Sequence, residues 1–542
     1  DALALFFALL IAGMGLLIIL YAHFYFAGKG GFLRFYGLVL AFMTAMLGVV
    51  TSENLLFMLI FWEMTSLTSF LLIAFNTDQP EARRGARMTL AITGGGGLAL
   101  LAGIILMGNI VGSFNLTEIL ASGDAIRASG QYPAILALVL LGAMAKSAQF
   151  PLHFWLPNAM TAPTPVSAYL HSATMVKAGI FLLARLHPAL AGTDAWFYSI
   201  SAVGMATLLT GAIVALFRHD TKQLLAFSTV SHLGLITLLI GLNTATALTA
   251  ALFHLMNHAL FKAPLFMMAG MVDKTTGTRD MRLLGGLWRY MPLLMVLSAL
   301  SAASMAGLPF FSGYLSKKML FKASLDASFI GSLEWIFPAL AALAGLFSVA
   351  YSVRLVHAVF FNGESGAAPV WPPKRASFGF QLPLLLLTAG SLFVWWNAEP
   401  IVHGLINTVA SASAGEALAM YNMETLHHKG IAYGMSLVAM LGGLGLYVFR
   451  RPVLALHERM PRVESREVFE GFMGAAARGS RRAVMALENG SVQRYVALTL
   501  LTAVVMALPV LSGPRNWQGA GAMTPIDPLT ALGSVLLMIS AT

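Results

Sequence analysis

Apolar positions along this chain fall into long unbroken runs separated by short polar stretches. Such runs lie near 2–26, 35–52, 54–76, 88–111, 133–150, 164–186, 195–217, 223–243, 246–272, 292–324, 335–361, 381–397, 431–449, 495–512 and 526–542. A membrane-crossing helix needs about 20 mainly apolar residues, and these runs meet that length. A membrane barrel would instead show alternating segments of about ten residues. The pattern therefore predicts an all-α polytopic membrane protein with roughly fifteen spans, the last of them incomplete.

The basic residues orient the loops. Loops after odd-numbered spans carry Lys29, Arg34, Arg83, Arg84, Arg87, Arg218, Lys222, Lys274, Arg279, Arg282 and Arg289. Loops after even-numbered spans carry Asp124, Arg127, Asp194, Asp326 and Glu334, with few bases. The positive-inside rule puts the first set in the cytoplasm, and the same parity puts Lys374, Arg375 and segment 450–494 there too. That segment is unlike the rest. Val468, Phe469, Phe472, Met473 and Ala476 share one helical face, while Arg466, Glu467, Glu470, Arg478, Arg481 and Arg482 supply the polar side. It reads as a cytoplasmic amphipathic helix lying along the membrane or against neighbouring subunits, with a solvated linker as the alternative.

Composition narrows the class. Of 542 residues, 58% are apolar and 10% charged, against about 25% charged in an ordinary soluble domain. That excludes a water-soluble enzyme and a disordered chain. The net charge of +10 fits basic cytoplasmic loops better than nucleic-acid binding. With no cysteine, disulfides, iron–sulfur clusters, thiolate metal sites and cysteine nucleophiles are ruled out. The chain begins with Asp1 inside an apolar run and stops inside another, so a fragment of a longer protein is expected.

Scarcity of charge makes the exceptions informative. A charge inside a span costs about 2.5–3.5 kcal/mol on insertion scales, so each is a functional candidate. Glu63 sits about mid-span in NLLFMLIFWEMTSLTSFLLIAF. Lys146 lies in a span interrupted by Pro151, and Lys317 in one interrupted by Gly307 and Pro309. Two Gly/Pro-interrupted spans five apart, each with a lysine near its break, point to inverted repeats and a midplane ion site. For Lys317 and Lys318, snorkelling at a span end is the other reading. His254, His258 and Lys262 stack at i, i+4 and i+8, about 6 Å apart along one helical face. His171 and Lys177 add polar groups to an earlier span, and Lys222 and His232 flank the start of another.

Together these residues make a chain of titratable groups at membrane depth, and the chemistry such a chain supports is proton transfer. Histidine titrates near neutrality, and a lysine in low dielectric releases its proton more readily. A carboxylate nearby reverses that tendency, so a facing Glu63–Lys146 pair would respond to a moving neighbouring charge. Other readings stay open. Glu63 with a lysine also fits a static ion pair in a membrane scaffold. The His254/His258 spacing also fits a metal or haem site, although the HExxH glutamate is missing. The glycines at 94–97 follow no strand and lack a phosphate-loop ending; they read as close helix packing. Thr65, Ser66 and Ser147 are available as oxygen ligands for sodium, without a spacing argument for them.

The stretches FWEMTSLTSFLLI, AKSAQFPLHFWLPNAMTAPTPVSAYLHSATMVKAG, HDTKQLLAFSTVSHLGLI, FHLMNHALFKAPLF and GLPFFSGYLSKK resemble the antiporter-like subunits shared by respiratory complex I and the Mrp cation/proton antiporters. The resemblance covers residues 1–450, and VDKTTGTRDMRLLGGL and ATMVKAG look like the Mrp form. It implies two inverted five-helix repeats with broken helices, further helices and a lateral helix. The organisation expected is 1–52 N-terminal helices, 53–186 and 187–330 the two repeat regions, 331–449 further helices, 450–494 the amphipathic helix and 495–542 C-terminal helices. The resemblance also implies about two helices before Asp1 and more beyond Thr542. By family pattern Glu63, Lys146, His171, Lys177, Lys222, His254, His258, Lys262 and Lys317 carry protons. The implied protein is no enzyme and has no cofactor. It moves H+ and Na+ in the plasma membrane of a bacterial cell, with other membrane subunits as partners, lipid around it and no nucleic acid. A proton-pumping subunit of a redox-driven complex I-type assembly is the alternative. One departure stands out: where the family has an acid after the second lysine, this chain has Lys318.

Overall fold

The computed structural model describes residues 1–28, 30–326, 335–363, 368–423, 430–459, 465–487 and 490–511. The span expected at 526–542, Lys29 and Glu334 lie outside the described residues, as do the side chains of Arg466 and Val468. The chain forms two compact units, Asp1–Met460 and Pro461–Thr542.

The first unit is helical throughout, with β pairing among the described residues confined to isolated bridges at Asn54–Asn115 and Asp220–Asp280. Its main helices are α1 (Ala2–Tyr25), α2 (Phe32–Thr51), α3 (Leu55–Ile73), α4 (Pro80–Val111), α5 (Tyr132–Lys146), α6 (Thr164–Ser172), α7 (Ala178–Arg185), α8 (Asp194–Phe217), α9 (Thr221–Gly241), α10 (Ala245–Thr276), α11 (Pro292–Ala306), α12 (Ser312–Asp326), α13 (Ile336–Val356), α14 (Phe378–Trp396) and α15 (Ile431–Val448). Among the described residues eleven helical spans are long and apolar enough to cross a membrane, counting α6 and α7 as one. Two of the expected spans, 133–150 and 292–324, are broken: α5 stops at Lys146, and Gly307 in the left-handed region (φ 80°) divides α11 from α12. A third break, between α6 and α7 at Thr174, is not foreshadowed by any proline or glycine. In the second unit, α16 (Ser465–Leu487) and α17 (Val492–Leu511) are helical, and Phe472 and Met473 of α16 are exposed.

The helices start where a polar side chain can take up free backbone N–H groups. Asn54 accepts from Leu56 and Phe57, Thr193 from Trp196, Asp220 from Lys222 and Gln223, and Thr244 from Ala247. Contacts between loops then sort the ends. Lys274 donates to the carbonyls of Phe24 and Tyr25, Thr221 N–H to Arg279, Arg279 to Met160, and Val370 N–H to Thr276. These join the base-rich loops at one end of the bundle. At the other, Leu116 N–H donates to Glu53, Arg127 to Pro188, Tyr132 to Leu190, and Ser413 to Ala184. The segregation of bases seen along the sequence is thus a segregation in space.

Helices α9 and α10 occupy the centre, buried on nearly all sides. A helix that is apolar all round belongs in such a place; these two are apolar except for a few titratable, hydroxyl and amide residues. Small residues bring α8 against α9 at backbone distance. A Cβ on Gly211 would strike the backbone of Ser231, and one on Gly234 the backbone of Leu208. This packing fixes the placement of Ser228 and His232. Gly211→Val is therefore expected to destabilise the detergent-solubilised protein by about 1–3 kcal/mol. Gly13→Ala, with nothing within 4 Å of the added carbon, leaves the unfolding temperature at or slightly above the parent's. Equal thermal unfolding of the two variants would contradict this packing.

Candidate functional site

The first broken helix delivers Lys146 to the helix that carries Glu63. Lys146 is the last residue of α5, at the negative pole of that half-helix, where a cation is favoured. Its Nζ donates to the Ser66 hydroxyl at 2.7 Å and the Trp62 carbonyl at 2.9 Å, and lies 5.1 Å from the Trp62 ring centroid. All of these belong to α3. No ion pair joins Glu63 to Lys146 in this structure, although the carboxylate acts on the lysine electrostatically. Glu63 is half-buried, and its Oε1 has no hydrogen-bond partner.

The carboxylate instead rests on the four-glycine stretch of α4. A Cβ on Gly97 would overlap Glu63 Oε1, and one on Gly94 would lie 3.9 Å from Oε2. Gly96 meets Ala145, next to Lys146. The glycines therefore do pack helices closely, and at Gly97 they also leave room for the acid. The hydroxyls considered as sodium ligands each make a hydrogen bond within the protein. Thr65 bonds the Trp62 carbonyl, Ser66 takes Lys146, and Ser147 accepts from Ile180 N–H.

The second broken helix repeats the device with another arrangement. Lys317, on α12, folds back over the break. Its Nζ donates to the carbonyls of Met305 and Ala306 at 2.8 and 2.9 Å and to the Ser348 hydroxyl at 2.7 Å. The two carbonyls end α11 and have no partner within that helix. The side chain is 7% exposed, so Lys317 does not snorkel. Lys318 is buried as well, with Nζ 5.3 Å from the Tyr433 ring centroid.

From Lys317 a row of hydrogen bonds runs into the core. Ser348, which accepts from Lys317, donates to Tyr351 at 3.0 Å, and the Tyr351 hydroxyl lies 3.3 Å from His232 Nε2. His232 Nδ1 is 2.9 Å from His254 Nε2, and His254 Nδ1 is 2.8 Å from the Ser316 hydroxyl. With both ring nitrogens of His254 so engaged, the His254/His258 pair is not poised to hold a metal or haem. Lys262 sits beside the row, donating to Ser228 at 2.7 Å and approaching Met305 Sδ at 3.2 Å. The His258 ring is 5.4 Å from that of His232.

The remaining predicted residues are buried but not in the row. Lys177 donates to the Leu255 carbonyl at 3.0 Å and Lys222 to that of Ala162 at 2.8 Å. His171 lies between the rings of Trp155 and Phe266, and neither its nitrogens nor those of His258 make a hydrogen bond of acceptable geometry. Sequence reasoning gives no part to the hydroxyl members of the row, Ser348, Tyr351 and Ser316. His232 is visible as a polar residue near a span start, whereas Tyr351 and Ser348 lie in an apolar run that hydropathy reads only as a span.

Fold and site together define a multi-pass, all-helical membrane protein in which hydrogen bonds among buried titratable and hydroxyl groups join the second broken helix to α9, α10 and α13. Residues 52–340 match the family described as NADH:quinone oxidoreductase/Mrp antiporter, TM. The chain is similar to a probable K(+)/H(+) antiporter subunit of Rhizobium meliloti (strain 1021), 47% identical over 474 residues, covering 87% of this chain and 47% of that one. It is similar to a Na(+)/H(+) antiporter subunit of Alkalihalophilus pseudofirmus, 47% identical over 423 residues, covering 74% and 52%. Among solved structures, the Mrp complex from Dietzia sp. DQ12-45-1b superimposes with a TM-score of 0.84 at 35% identity, covering 99% of this chain and 58% of that one. The chain belongs to the NADH:quinone oxidoreductase/Mrp antiporter transmembrane family. It spans about half the length of these curated relatives.

The cradle under Glu63 has a direct spectroscopic test. Gly97→Ala should shift the carboxyl-stretch infrared band that Glu63→Gln removes, whereas Gly95→Ala, with open space at its added carbon, should leave it in place. An unmoved band in Gly97→Ala would show that the carboxylate does not rest there.

Proposed function

We propose that this chain is the large proton-translocating subunit of a multi-subunit monovalent cation (Na+)/H+ antiporter. Protons move along Glu63, Lys146, His171, Lys177, Lys222, His254, His258, Lys262 and Lys317, with His232, Tyr351 and Ser348 completing the path. The single observation that carries the reading is the ring of hydrogen bonds Lys317–Ser348–Tyr351–His232–His254–Ser316, closed along α12, which ties the second broken helix to α9, α10 and α13. Hydroxyls and imidazoles both accept and donate, so a proton can pass between neighbouring members of such a ring.

The broken helices supply the switching elements, and in this reading they belong to two inverted repeats. Lys317 rests on oxygens at a helix break and Lys146, itself at a break, on oxygens of α3, in neither case on a counter-ion. Closing Glu63 onto Lys146 would exchange those oxygen contacts for an ion pair and change the charge felt further along the axis. Protons and Na+ are cargo; the other membrane subunits of the assembly, and lipid around them, are the partners. The relatives named as antiporter subunits favour this reading over a redox-driven pump.

The test is Na+-dependent pH change in vesicles carrying the assembled complex. Glu63→Gln and Lys146→Ala are each expected to lower the rate by about tenfold or more. Tyr351→Phe, which removes one hydroxyl from the row while keeping the ring, should give a partial loss. Parent-like rates in Glu63→Gln and Lys146→Ala would take those residues out of the path. Replacing Na+ by K+ in the same vesicles identifies the cation.

A further inference from the structure

Lys222 is the member of the path nearest the base-rich end, and a proton there needs a group to carry it between the buried amine and water. Two carboxylates act on it electrostatically, Asp273 and Asp220, opposed by Arg279. Asp220 is committed elsewhere. It caps α9 through the N–H groups of Lys222 and Gln223 and pairs with Arg279 at 3.2 Å. Asp280, in the same loop, is bound by Arg282, which holds its carboxyl below the ordinary range.

The Asp273 carboxylate makes no hydrogen bond or ion pair among the described residues, and it is half-buried while Lys222 is 1% exposed. Asp273 also acts electrostatically on Tyr21 and Tyr25 of α1. Its register is that of the path. Eleven residues, about three turns, separate Asp273 from Lys262, which returns it to within about 20° of the same face of α10. Helices α9 and α10 run antiparallel, with Lys262 bonded to Ser228. Lys222 precedes Ser228 by six residues and so lies alongside the last turns of α10. An acid in the last turns of a helix also sits against the negative pole, an unfavourable place. A residue that breaks a local rule without a partner that compensates it marks a functional position.

We propose that Asp273 is the carboxylate through which Lys222 exchanges protons with the aqueous phase at the base-rich end, a role that rests on the function proposed above. The Lys222 Nζ–H bond breaks and an O–H bond forms on Asp273, directly or through a water. This leaves a neutral amine and a carboxyl, and the carboxyl then releases its proton to bulk water. Influx of protons uses this order, and efflux its reverse.

The experiment compares parent, Asp273→Asn, Asp273→Glu and Glu63→Gln in everted membrane vesicles, with the amount of assembled complex measured for each. Asp273→Asn is expected to lower the maximal rate of Na+-driven pH change about tenfold, at an unchanged half-saturating Na+ concentration. Asp273→Glu should retain most of the rate. A small membrane-impermeant weak acid added outside should restore Asp273→Asn but not Glu63→Gln. A parent-like rate in Asp273→Asn, or a loss that neither glutamate nor the added acid repairs, overturns the proposal. If Glu63→Gln is impaired and Asp273→Asn is not, this inference alone falls. If the parent complex itself shows no Na+-driven pH change, the underlying function falls and the role of Asp273 with it.

Discussion

Lysines held away from water must find oxygen, and this requirement organises the whole interior. Lys146, Lys177, Lys222, Lys262 and Lys317 are buried, and each donates to a carbonyl or hydroxyl oxygen rather than to a carboxylate. Desolvating an amine without such partners is prohibitive. A continuous helix has few carbonyls to spare, because each is already spent four residues on. Breaking helices is one remedy. The end of α11 provides two free carbonyls to Lys317, and the end of α5 places Lys146 at a negative pole. Where no free carbonyl is at hand, the lysine shares one of an intact helix, as Lys146 does with Trp62 and Lys177 with Leu255.

The same requirement explains why the central helices pack so tightly. An oxygen is useful to a buried lysine only within hydrogen-bond reach, so α9 must be held to fractions of an ångström. The glycine contacts between α8 and α9 do this through backbone, which cannot change rotamer as side chains can. On α4, glycine serves the reverse purpose: Gly97 leaves unfilled the space that the Glu63 carboxylate occupies. Rigid placement on one side and vacated space on the other give a network that keeps its geometry while leaving one acid with an unengaged oxygen.

Much of the architecture is legible in the chain alone. Length and hydropathy locate the spans because lipid solvation acts on the sum of a run, and a sum survives ignorance of neighbours. Lys146 and Lys317 stand out because charge in an apolar run is costly and proline and glycine mark breaks. Tyr351 and Ser348 do not, because hydroxyls are common in membrane helices and only a partner across the interface distinguishes a relay from a residue bonded to its own helix. His232 falls between these cases: its type invites attention, but its place near a span start hides its central position. The break at Thr174 escapes as well, since no proline or glycine announces it.

By itself, then, the sequence determined the class of protein, the segregation of bases to one end and the set of costly residues that the interior must accommodate. These are properties of composition and one-dimensional order, set by transfer energies. Tertiary structure decided which of those residues meet. It joined His232 to His254 across α9 and α10 and Tyr351 to His232 from α13, and it kept Glu63 out of an ion pair with Lys146. Hydrogen bonds form or fail over a few tenths of an ångström, and that precision comes only from the packing of helices distant in the chain.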